Sequence, residues 1–70
     1  MYFKLIKESS TGEKIGYFNS DIDPEDSWPT TDVDQAQILT KEQVKSVKMI
    51  ESLKKKRLNT QYQVREIGVY

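Results

Sequence analysis

The sequence predicts a small α+β domain: a mostly antiparallel sheet of three or four strands with one long helix packed on a face, in the order β-β-β-α-β. Three observations carry this. Residues 2–7 and 14–19 are dense in aromatic and branched side chains, with turn-forming Ser9, Ser10, Thr11 and Gly12 between them. Residues 41–57 repeat apolar side chains at helical spacing behind a capping signal. A last aromatic and branched run, residues 62–69, follows that helix. At 70 residues one domain, residues 1–70, is the ceiling.

The first two runs read as a hairpin with a longer loop. Gly16 weakens the second strand and marks a bulge or a close backbone approach. Residues 20–35 then change character, with both prolines, six acids and no base. This stretch reads as a long ordered loop with one helical turn, capped by Asp23, started by Pro24 and favoured by Glu25 and Asp26 at its positive end. Trp28 is expected to fold back and pin the loop to the body. Residues 36–39 form a short third strand in this reading.

Thr40 with Gln43 makes a capping box, and Leu39 with Val44 stands at the two positions of a hydrophobic staple. At about 100° per residue, with Val44 at zero, Val47, Ile50 and Leu53 fall near 300°, 240° and 180°. That is one broad apolar side, fit to lie across a sheet. Asn59 and Thr60 end the helix. In the final strand the apolar side chains switch face between Val64 and Ile67, which implies a bulge or burial on both faces. The expected core is Phe3, Leu5, Ile15, Phe18, Val44, Val47, Ile50, Leu53, Val64 and Ile67.

Composition narrows the chemistry. Apolar residues make up 36%, enough for one thin core, and there is no cysteine and no histidine. Disulfides, thiolate catalysis, cysteine-type zinc sites and the usual general base are thereby removed. A homodimer built on an exposed edge strand would supplement so thin a core. No apolar run approaches a membrane span and no signal segment is visible, so a soluble, cytoplasmic, complete small gene product is expected. The three glycines, at 12, 16 and 68, are isolated and form no phosphate-binding loop. No nucleophile–base pair can be named. The expectation is therefore a non-enzymatic protein without catalytic residues, metal or cofactor.

Charge is the most informative feature. The chain is neutral overall, yet residues 19–40 hold six acids and no base, whereas residues 41–58 hold seven bases and two acids. Lys41, Lys45, Lys48, Lys55 and Lys56 fall between about 20° and 120° on the helix, an arc without an acid. Such a stripe could grip phosphates, or be a solvated helix face. Asp21, Asp23, Glu25, Asp26 and Asp32 echo a calcium loop in spacing, but Asp26 stands where that loop needs glycine and Pro24 stiffens its middle. The acids Asp21, Asp23, Glu25 and Asp26 around Trp28 read instead as an acidic rim about an aromatic anchor for a protein partner, or as a solvated loop whose tryptophan covers the core. Tyr2, Tyr17, Tyr62 and Tyr70 could stack bases on an open sheet face or fill the core.

The second half, from Ala36-Gln-Ile-Leu-Thr-Lys-Glu-Gln-Val to Tyr62-Gln-Val-Arg-Glu-Ile, resembles small uncharacterised proteins of phages and prophages of Gram-positive bacteria. In these a short apolar segment leads into a capped Thr-Lys-Glu helix and a Tyr-x-Val-x-Glu strand closes the domain. The resemblance implies an accessory protein in the cytoplasm of a bacterial host, binding a host or defence component. The leading expectation is thus a protein-binding accessory module, a phage-encoded modulator or inhibitor of a host protein. The rival is a nucleic-acid-binding accessory protein using the lysine face.

Overall fold

The computed structural model describes residues 1–69; Tyr70 lies outside the described residues. It is an α+β fold of one helix on a three-stranded antiparallel sheet, β1 (Tyr2–Ser9), β2 (Lys14–Tyr17), α1 (Lys41–Leu58) and β3 (Tyr62–Val69), with sheet order β2-β1-β3. The central strand β1 pairs with β3 along its whole length, from Tyr2 opposite Val69 to Ser9 opposite Tyr62. It pairs with β2 only near its end, where the register slips between Lys7 and Glu8 and Ile15 is bulged out and exposed.

The expected third strand shrinks to one bridge. Phe3 donates to and accepts from Leu39, both at 2.8 Å, so Leu39 caps the part of β1 that β2 does not reach. Gln37 is already committed elsewhere, its N–H to the Phe18 carbonyl and its side chain to Ser20, which leaves no ladder to extend. The helical turn expected near Pro24 is also absent. A 3-10 turn forms instead at Val33–Gln35, capped by Asp32, whose carboxylate accepts from the Asp34 N–H. Asp23 and Asp26 serve as local turn caps, accepting from the N–H groups of Glu25 and Trp28.

The helix begins and ends as its sequence dictates. Thr40 and Gln43 form the full capping box, and Leu39 and Val44 share one buried cluster as a staple. Asn59 closes α1 in the left-handed conformation (φ 52°), which a short polar side chain tolerates.

Two cores lie on opposite faces of the sheet. Under the helix, Leu5, Phe18, Trp28, Leu39 and Val44 pack with Phe3, Val47 and Val64. On the other face, Ile6, Tyr17 and Ala36 pack with Ile67. This is the two-sided burial anticipated for the last strand: Val64 serves one core and Ile67 the other, with an unbroken register. The core expectation needs correction at Ile15, Ile50 and Leu53, which are 45%, 53% and 62% exposed. Ile15 is the bulged residue. Ile50 and Leu53 point outward because α1 is rotated toward Glu51, which lies near 340° on the same wheel and is buried.

Gly16 answers to both of its readings, since the strand bulges beside it at Ile15 and another backbone approaches it closely. A Cβ there would stand 2.5 Å from the Trp28 carbonyl oxygen, which is backbone and cannot swing away. A Cβ at Gly68 meets nothing within 4 Å. Gly16→Ala should therefore cost about 2 kcal/mol or more in urea unfolding, while Gly68→Ala shifts the midpoint little. Equal effects from the two would show that the strand–loop contact at Trp28 is not tight.

Candidate functional site

The acidic segment is an exposed loop held from both ends. The Asn19 N–H donates to the Ser27 carbonyl at 3.0 Å, and the Asn19 side chain donates to the Gln35 carbonyl at 2.7 Å. The Ser20 N–H and hydroxyl both donate to the Gln37 side-chain oxygen, and the Tyr17 N–H reaches the Thr30 carbonyl at 2.7 Å. Asp21, Asp23, Glu25 and Asp26 are all exposed. Trp28 is not: it is 7% exposed, edge-on to Phe18 with ring centres 5.4 Å apart. Its indole is consumed inside the domain, so the acids form the outer surface and the tryptophan anchors them from beneath.

That anchor ends in a polar knot centred outside the loop, on the helix. Glu51 is 3% exposed, and its carboxylate accepts from the Trp28 indole N–H at 3.0 Å and from the Tyr62 hydroxyl at 2.6 Å. The Lys7 ammonium lies 3.6 Å from the same carboxylate and that of Lys54 3.9 Å. Lys7 also sits 4.1 Å from the centre of the Tyr62 ring and 5.3 Å from that of Trp28. Sheet, loop, helix and last strand thus meet on one carboxylate. The signal was present in the sequence: Glu51 is an acid set between Val44 and Val47 on the helical wheel.

Burial pushes the Glu51 carboxyl up, but the hydrogen bonds from Tyr62 and Trp28 and the charges of Lys7 and Lys54 outweigh it, leaving it below the ordinary glutamate value. Burial, the hydrogen bond to Glu51 and its negative charge push Tyr62 up to about 12. At neutral pH Glu51 is therefore ionised and Tyr62 protonated, the states in which the hydrogen bond between them forms.

The lysine stripe is divided by the fold. Lys48 pairs with Glu66 of β3, and the Lys55 ammonium lies 5.4 Å from the centre of the Tyr62 ring. Both are half-buried, while Lys41, Lys45 and Lys56 are exposed. A cleft on the neighbouring side brings Glu25 and Asp26 of the loop together with Lys54 and Arg57 of the helix. Among the described residues the tyrosines do not make a stacking platform: Tyr17 is buried, Tyr62 belongs to the knot and Tyr2 alone of these three is exposed, while Tyr70 lies outside the described residues. Among the described residues, no helix is long and apolar enough to cross a membrane. Compared with known protein families, with curated proteins and with solved structures, the chain matches none of them.

The knot has two measurable consequences. Glu51→Ala leaves the buried Trp28 indole N–H and the half-buried Tyr62 hydroxyl and Lys7 ammonium without their acceptor and should cost about 3 kcal/mol in chemical unfolding. The folded Glu51 binds its proton less tightly than the unfolded chain, so its stabilisation is present above the ordinary value of 4.5 and is lost as pH falls through the lower folded value. Tyr62 runs the other way: its stabilisation is complete below pH 10.0 and is lost as pH rises toward about 12. An ultraviolet titration should show a late tyrosine ionisation that Tyr62→Phe removes. If the variant's titration curve matches that of the wild type in its late phase, the Tyr62–Glu51 bond is not made.

Proposed function

We propose that this protein is a non-enzymatic protein-binding accessory module that offers its acidic loop to a basic surface on a partner. The observation that supports this reading is the clamped loop: four exposed carboxylates, Asp21, Asp23, Glu25 and Asp26, on a segment tied down by Trp28 and by bonds at its ends. An acidic segment whose backbone is already ordered loses little entropy on docking, so its charges act at fixed spacing. Charge complementarity of this kind steers encounter and fixes register more than it supplies raw affinity. The resemblance to small phage and prophage proteins extends the proposal: a phage-encoded modulator or inhibitor acting on a host protein in the bacterial cytoplasm.

The rival reading, a nucleic-acid-binding accessory protein, loses ground through the fate of its lysines. Phosphate binding draws on free cations that can release counterions. Two of the five, Lys48 and Lys55, already have intramolecular partners in Glu66 and the Tyr62 ring.

Immobilised protein challenged with bacterial lysate, with and without nuclease, separates the two. The expected result is a retained protein that survives nuclease, weakens as salt rises, and is lost from the variant Asp21→Asn, Asp23→Asn, Glu25→Gln. Retention that disappears with nuclease, or with Lys41→Gln, Lys45→Gln, Lys56→Gln while the acidic variant binds normally, would overturn the proposal in favour of nucleic acid.

A further inference from the structure

The outward face of α1 carries an apolar stripe that the domain does not use. Met49, Ile50 and Leu53 are 67%, 53% and 62% exposed, and lie on the side of the helix opposite the buried Val44 and Glu51. Exposed Glu42, Ser46 and Arg57 complete the same face, which spans roughly 140° to 240° on the helical wheel. The order of these six residues has an internal symmetry. Two antiparallel helices related by a twofold axis between Met49 and Ile50 bring residues equally far from that point to the same level. Glu42 and Arg57, each about 11 Å from the midpoint along the axis, then stand level with one another across the pair. Small Ser46 stands level with large Leu53. Met49 and Ile50 meet their own copies around the axis.

We propose that two copies of this chain associate through α1 in this antiparallel arrangement. Leu53 of each copy packs over the partner's Ser46, where the small side chain leaves room for it, as a knob set into a hole. Glu42 meets the partner's Arg57, with the partner's Lys56 on the same flank, so the only acid on the stripe faces cations and the two helix dipoles run in opposite directions. A charge set that complements itself only when reversed end to end selects a second copy in antiparallel order, and a parallel pair would place Arg57 against the partner's Arg57. The surface borders the acidic loop, since Arg57 lines one cleft with Glu25 and Asp26 while Glu42 and Ser46 line another with Ser20, but none of the loop's four carboxylates is among the residues that pair across the two helices. One helix pair buries less than the about 1,200 Å² at which stable interfaces begin, and the association is accordingly weak and reversible.

Sedimentation equilibrium from about 10 µM to about 1 mM spans the range of affinity expected for such a contact. The wild-type mass should rise from 8.2 kDa toward twice that value. Leu53→Asp should remain monomeric with unchanged circular dichroism and Trp28 fluorescence, because the side chain it replaces is exposed. Glu42→Lys should weaken association about ten-fold, and the double variant Glu42→Lys, Arg57→Glu should recover most of that loss. Orientation is testable because the chain has no cysteine of its own. Met49→Cys should form a disulfide-linked dimer on mild oxidation, Glu42→Cys alone should not, and an equimolar mixture of Glu42→Cys and Arg57→Cys should. A wild type that stays monomeric throughout overturns the proposal. So does a Leu53→Asp variant that dimerises as well as wild type, which would transfer the contact to another surface such as the free edge of β3.

Discussion

One carboxylate organises this domain. Glu51 enters the interior from the helix and receives the indole of the loop, the phenol of the last strand and the ammonium of the central strand. Taking a charge out of water costs several kcal/mol, and that cost is tolerable here because two hydrogen bonds and two cations surround it. Replacement by an apolar residue could pack as well, but would not specify which loop residue lands on which strand. A buried, fully satisfied polar knot selects one arrangement among several of similar burial.

The rotation of α1 follows from that knot. An 18-residue helix with apolar side chains spread over half its circumference could turn either edge of that half toward the sheet. Seating Glu51 brings Val44 and Val47 inward and swings Ile50 and Leu53 to the solvent. The same rotation draws Lys48 and Lys55 down toward β3, where Glu66 and Tyr62 meet them. One internal requirement therefore weakens the basic stripe and creates an exposed apolar one. The loop shares this dependence, since the peptide of Trp28 passes so close to Gly16 that only a residue without a side chain fits beneath it.

The surfaces then divide by their chemistry. The acidic loop is ordered and outward, suited to a basic partner. The helix stripe is apolar and complementary to itself, suited to a second copy. Self-association through α1 would present two acidic loops on one particle, and paired sites raise the apparent affinity for a partner with two matching basic surfaces without any new contact.

Much of the fold was legible in the sequence, because the signals were local. The Thr40–Gln43 box, the Leu39–Val44 staple and the Asn59 stop are chemistry within a few residues of chain, and each formed as read. The switch of apolar side chains between Val64 and Ile67 left a bulge or burial on both faces of β3 open, and the second formed, with successive side chains pointing in opposite directions. The site was legible in part: the acids, the lysines and the pinning role of Trp28 stood out as composition. What failed was what depends on distant partners. The strand at 36–39 became a single bridge because Gln37 found partners at Ser20 and Phe18 instead. The buried face of the helix was decided by Lys7, Trp28 and Tyr62, residues far from Glu51 in sequence whose approach only the folded chain creates. Local periodicity determined that there would be a helix and where it would start and stop. The tertiary structure decided which of its sides met the sheet, because a buried charge must be oriented toward its partners whatever the hydrophobic pattern alone would favour.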